Sequence, residues 1–157
     1  MGFRGVPSAD IYSDEVVIKH ENVIVNSGGF KKLMQAFDLE RLGNTTMSLA
    51  VAQSPFDYAL DYVQERKQFG NTINSYQLVQ KKLVDMLTEI TKSQVLTWRL
   101  GLLMDKGKAS FEQISLAKKV NVKMACEVAK KSRSVLGGMG ITGEYLSLIH
   151  ISEPTRQ

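Results

Sequence analysis

The apolar positions of this chain fall into two regimes. Up to residue 29 they come in short β-favouring runs: Ile11-Tyr12-Ser13, Val16-Val17-Ile18 and Val23-Ile24-Val25. The turn-forming Asn26-Ser27-Gly28-Gly29 closes them. Three strands this short do not make a stable sheet alone, so residues 1–29 are expected to be the end of a larger β-domain. From Phe30 to about Gln68 the spacing turns helical, with Leu33, Phe37, Leu42, Met47, Val51 and Leu60 as an imperfect apolar stripe. Pro55 is expected to kink this helix or split it near Ser54, and Gly70-Asn71 to end it.

A second helix is announced by Asn74 with Gln77 three residues later, a capping-box pattern. Val79, Leu83, Met86, Leu87 and Ile90 mark its face, and the pattern continues through Trp98 to about Asp105, where Gly107 follows as a stop. The third helix opens on a similar pair, Ser110 and Gln113. Its face is Ile114, Ala117, Met124, Ala125, Val128, Ser132 and Val135, small enough for close packing, and Gly137-Gly138 ends it. Long helices with short connectors predict a mainly α fold, an antiparallel helical bundle over residues 30–145, preceded by a few short β-strands. There is no internal repeat. Residues 146–157 fit no continuation of the bundle. They are expected to be an unrelated tail, resembling a translated sequencing adapter joined to a truncated sequence.

Composition narrows the function classes. The chain has 157 residues, 43% hydrophobic and 23% charged, as an ordinary globular domain has. A net charge of +4 favours anionic partners such as nucleotide phosphates. The lysine pairs at 81–82, 118–119 and 130–131 are scattered like solvated helix faces, which argues against nucleic-acid binding. Cys126 is the single cysteine, so no intrachain disulfide forms. A buried, inert thiol in a reducing compartment is expected. No run is long and apolar enough to span a membrane, no secretory signal is expected, and no metal site is suggested.

Three stretches carry candidate chemistry. Arg66-Lys67-Gln68-Phe69-Gly70 combines a guanidinium, which forks onto phosphate oxygens, with a ring that can cover a flat base. Taken alone it is also a basic helix end. In Phe37-Asp38-Leu39-Glu40-Arg41, helical spacing puts Asp38 and Arg41 on one face, as it does Phe37 with Glu40 or Arg41. Alone this is a solvated ion pair beside a core phenylalanine, with Glu40 an exposed helix glutamate. Leu136-Gly137-Gly138-Met139-Gly140 is in isolation a glycine helix stop. Gly138, Gly140 and Gly143 satisfy G-x-G-x-x-G, but a helix and not a strand precedes them, so a Rossmann fingerprint fails.

Taken in this order, the three stretches resemble the C-terminal helical domain of the acyl-CoA dehydrogenases, a flavoenzyme family. Gly2-Phe3-Arg4-Gly5-Val6-Pro7-Ser8 and Glu21-Asn22-Val23-Ile24 resemble the end of that family's middle β-domain, and Glu144-Tyr145 continues its pattern until Leu146 replaces an expected proline. The resemblance implies FAD as cofactor and an acyl-CoA thioester as substrate, desaturated at its α,β positions by α-proton abstraction and β-hydride transfer to flavin. It implies that Asp38 and Arg41 help hold the coenzyme A moiety and that Phe37 lines the channel. Glu40 stands where the isovaleryl and long-chain branches carry their catalytic base, whereas most of the family places it on a loop after the Gly-Gly motif. Arg66, Gln68, Phe69, Gln77, Gly137 and Gly138 are implied to contact the FAD of a neighbouring subunit. Ser134 stands in place of a family glutamine in that set.

The resemblance further implies a homo-oligomer, dimer or tetramer, with FAD sites shared across subunits, and an electron-transfer flavoprotein as partner. The compartment would be the cytoplasm in a bacterium and the mitochondrial matrix in a eukaryote. These 157 residues by themselves are expected to be inactive. An acyl-CoA oxidase or reductase on the same scaffold, or a non-catalytic helical interaction module, are the alternatives.

Overall fold

The computed structural model describes residues 9–25 and 27–142. Three long helices dominate: α1 (Gly29–Glu65), α2 (Gln77–Asp105) and α3 (Phe111–Leu136). They run up, down and up. The C-terminal end of α1, with Ala59 and Val63, packs with Val79 and Leu83 at the start of α2 and Val135 at the end of α3. At the opposite end Leu42, Leu96, Leu100, Ile114 and Ala117 close the core. Between them lie Ala52, Phe56, Met86, Ile90, Met124, Ala125 and Val128.

Helix α1 departs from the expected stripe. Leu33, Phe37 and Met47 are exposed, and the buried line is Thr45, Ser48, Ala52, Phe56, Ala59 and Val63. These recur every three or four residues, which is one helix face. Most are small, because α1 packs against α3 more extensively than any other pair does. Size and not hydrophobicity selects them. Pro55 does not split the helix: α1 runs through it unbroken. Proline removes one intrahelical bond, to the carbonyl of residue 51, and the buried ring packs in the core instead.

All seven face residues expected of α3 are buried, and Ser110 forms the expected capping box, accepting from Gln113 N at 3.3 Å while Ser110 N donates to Gln113 Oε1 at 3.0 Å. On α2 the Asn74–Gln77 box does not form. Asn74 lies in a 3-10 turn, Ile73–Ser75, and Tyr76 caps the helix without a side-chain bond. The Asn74 side chain is already used, accepting from Thr72 Oγ1 at 2.6 Å. Leu87, expected on the core face, is half exposed. Cys126, expected to be buried, is only partly so.

The helical pattern expected to reach Gln68 stops at Glu65. A hairpin follows, with β1 (Lys67–Gln68) antiparallel to β2 (Asn71–Thr72) and Lys67 opposite Thr72. Its two turn residues, Phe69 and Gly70, have φ of 52° and 83°. Positive φ at both positions is what a two-residue hairpin matching strand twist requires. These are the two strands found among the described residues. The β-favouring runs in residues 9–25 form none: Ile11, Tyr12, Val17 and Ile24 stand more than 90% exposed, with no partner strand to take their ladder bonds. Asn26, the Gly2–Ser8 stretch, and everything from Gly143 to the end, including Glu144-Tyr145 and the expected tail, lie outside the described residues.

One polar link crosses the middle of the core. The Asn121 amide on α3 donates to the Thr45 carbonyl on α1 at 3.2 Å and to Thr97 Oγ1 on α2 at 2.7 Å. Its Oδ1 is buried without a partner among the described residues.

Candidate functional site

Two of the three sequence motifs meet at one end of the bundle. The hairpin folds the chain after α1 back toward the end of α3, forming a groove of about 350 Å³. Arg66, Gln68 and Tyr62 line one side, and Gly137, Gly138 and Met139 the other. The hairpin is fixed at its base: Ile73 N donates to Arg66 O at 2.9 Å, and the Tyr76 hydroxyl to Gln68 O at 2.8 Å. The Arg66 backbone is thus held while its exposed guanidinium has no ion-pair partner among the described residues. Phe69 is 93% exposed at the hairpin tip. Phe69, Gln77 and Ser134 do not line the groove.

The three glycines at the end of α3 differ in why they are glycines. Gly137 has φ of 59°, which a side chain would strain. A Cβ at Gly140 would come 2.5 Å from the Arg133 carbonyl oxygen, so packing forbids it. A Cβ on Gly138 would meet nothing within 4 Å, and its φ is ordinary. Nothing among the described residues requires a bare backbone at Gly138.

The third motif lies toward the other end. Arg41 donates to Asp38 Oδ1 at 3.0 Å, with side chains 23% and 19% exposed. The Arg41 guanidinium also sits 5.2 Å over the Phe111 ring at the start of α3, within cation–π range. Positions 38 and 41 prolong the buried line of 45, 48 and 52, so the pair faces the bundle and not bulk water. Glu40 is rotated about 100° from Arg41 on a helix. It is exposed and accepts from Asn44 Nδ2 at 3.0 Å. Phe37 is 39% exposed. Asp38 and Arg41 are therefore brought together, and Glu40 is presented on a different face.

Two contacts had no readable signal in the sequence. Phe111 reaches Arg41 across 70 positions, and Lys82 Nζ donates to Ser134 Oγ at 2.8 Å, joining α2 to α3. Nearby, a hydrogen bond from Lys81 holds the Asp85 carboxyl below its ordinary value, with the Lys81 and Lys131 charges adding to it. A hydrogen bond from Ser110 does the same to Glu112. Among the described residues no three His, Cys, Asp or Glu side chains cluster to hold a metal ion, and no helix is long and apolar enough to cross a membrane.

Residues 27–152 match the profile of the acyl-CoA dehydrogenase C-terminal domain. The chain belongs to the acyl-CoA dehydrogenase family. It is 31% identical over 145 residues to the human mitochondrial short-chain specific acyl-CoA dehydrogenase, covering 92% of this chain and 35% of that protein. To a caffeyl-CoA reductase–Etf complex subunit of Acetobacterium woodii it is 34% identical over 147 residues, covering 92% of this chain and 38% of that protein. Among solved structures it resembles a glutaryl-CoA dehydrogenase of Mycobacterium smegmatis in complex with FADH2, with a TM-score of 0.69 and 38% identity over 71% of this chain and 29% of that one. The chain thus spans about a third of the length of these acyl-CoA dehydrogenase relatives, and its helical bundle is the C-terminal helical domain expected of the family.

Proposed function

We propose that these residues act as the C-terminal helical part of an FAD-dependent acyl-CoA dehydrogenase that desaturates an acyl-CoA thioester between its α and β carbons. The observation that carries this is the groove joining Arg66 and Gln68 to Gly137 and Gly138 across about 70 residues of sequence. Its features fit a flavin dinucleotide supplied from outside the chain. Arg66 offers a guanidinium with no ion-pair partner among the described residues, suited to phosphate oxygens. Gly138 leaves its backbone bare where packing among the described residues makes no demand, which suits close approach of a ligand. Phe69 presents its ring at the hairpin tip, and Gln77 and Ser134, outside the groove lining, are proposed to add polar contacts. The FADH2-bound neighbour supports the choice of ligand.

FAD held by Arg66 and the groove backbone would supply the hydride acceptor for the β-hydrogen. The chain's own residues then divide the remaining work. Arg41, oriented by Asp38 and Phe111, binds the coenzyme A part of the thioester, and Phe37 walls the channel. Glu40 takes the α-proton. In the assembled enzyme, Glu40→Gln should abolish turnover while acyl-CoA still binds. Retained turnover would remove Glu40 from the role and leave the base to another segment.

A second direction of the same chemistry is favoured by the caffeyl-CoA reductase–Etf relative: reduction of an enoyl thioester, with electrons exchanged with an electron-transfer flavoprotein. Reaction of the reduced flavin with oxygen separates an oxidase from both. The groove residues are proposed to serve the FAD of a neighbouring subunit in a dimer or tetramer, in the bacterial cytoplasm or the mitochondrial matrix. The human relative is mitochondrial.

A further inference from the structure

This inference rests on the dinucleotide reading above and concerns a residue outside it, Lys82. Its ammonium has three donors, and Ser134 Oγ takes one at 2.8 Å. Among the described residues no carboxylate lies within ion-pair distance of Lys82. The acid one turn further on, Asp85, is occupied by Lys81 at 3.1 Å and Lys131 at 3.5 Å. Ser134 lies in the last turn of α3, immediately before the Val135–Met139 stretch that walls the groove.

The charge of the whole chain is concentrated here. Residues 62–85 and 128–139 carry seven Lys or Arg against two carboxylates, while the rest of the chain carries thirteen against fourteen. The positive excess therefore sits at the groove end of the bundle, where it attracts an anion. A strap between two helices needs no uncompensated cation, since a neutral hydrogen bond would serve. Neither Lys82 nor Ser134 lines the groove, but they meet at the α2–α3 seam next to its Val135–Met139 wall, and the two remaining ammonium donors suit phosphate oxygens of a ligand reaching past that wall.

We propose that Lys82, aligned by Ser134, binds a phosphate oxygen of the dinucleotide in this groove. The short Ser134 side chain leaves the reach to the lysine, which it holds in place.

The test strips flavin from the assembled dehydrogenase, titrates it with FAD, and follows thermal unfolding of the flavin-free form. Lys82→Met should weaken FAD binding about tenfold, the scale of one charge-assisted hydrogen bond. Lys82→Arg should retain affinity within about threefold, because it keeps the charge and donors. Unfolding of the flavin-free protein should be unchanged in both, and the salt dependence of FAD binding should flatten in Lys82→Met. If Lys82→Met leaves affinity intact while Arg66→Ala weakens it, the role of Lys82 is overturned and the dinucleotide groove stands. If Lys82→Met lowers flavin-free stability and Lys82→Arg does not restore affinity, the contact is a helix strap and the proposal fails. If neither Lys82→Met nor Arg66→Ala weakens binding, both readings fall.

Discussion

Phenylalanine is an unusual residue for the left-handed region, where a Cβ crowds the backbone and costs about 1–2 kcal/mol. Phe69 nevertheless holds φ of 52° at the hairpin tip, and its ring is 93% exposed, so packing within the chain gives nothing back. Strain kept without internal compensation suits a residue selected for an external contact. Phe69→Asn should therefore stabilise the isolated chain by about 1 kcal/mol, since asparagine tolerates this conformation. The same substitution should weaken FAD binding by the assembled enzyme. Thermal unfolding and flavin titration read the two effects separately, and a loss of stability would show that the ring is structural. Gly138 carries the same logic: it is a glycine that no packing among the described residues needs.

At the level of elements, α2 has two apolar sides. One packs in the core through Met86, Ile90 and Leu100. The other leaves Val84, Leu87, Val95 and Trp98 exposed, at spacings of three, eight and three residues that share one face. An apolar stripe of this length on a helix is a surface expected to be covered in the assembled protein. The purified chain should associate through it, and Val95→Lys with Trp98→Lys should shift sedimentation toward the monomer without loss of helical signal. Unchanged association would place the contact elsewhere. Helix α3 was legible from its pattern because its core face holds Ile, Met and Val among the small residues. Helix α1 was not, because Thr45, Ser48, Ala52 and Ala59 pack by smallness, which a hydrophobic pattern does not register. The hairpin was missed for a related reason. Its turn depends on Phe69 adopting a backbone state that residue type alone does not suggest.

For the whole molecule, the three-helix order and the antiparallel course could be read from spacing and capping, as Ser110–Gln113 illustrates. The candidate site could not be assembled that way. Arg66 and Gly137 are brought together by packing, and only resemblance linked them beforehand. The groove they form has open sides, and the chain spans 35% of its human relative. Purified alone, it should show no flavin-dependent oxidation of acyl-CoA. Turnover in a dye-reduction assay with added FAD would overturn that expectation.

The buried Asn121 amide has a consequence for that long-range meeting. It ties one carbonyl of α1 and one hydroxyl of α2 to a single point on α3, in a layer where an unmatched amide is costly. Sliding α3 by one turn would move Gly137 about 5.4 Å past Arg66 and strand the amide in hydrocarbon. Small side chains alone would tolerate such slippage, since one alanine layer resembles the next. Asn121 works as an alignment pin, so the tolerance of the distant Arg66–Gly137 groove is set near the middle of the bundle, about 24 Å away.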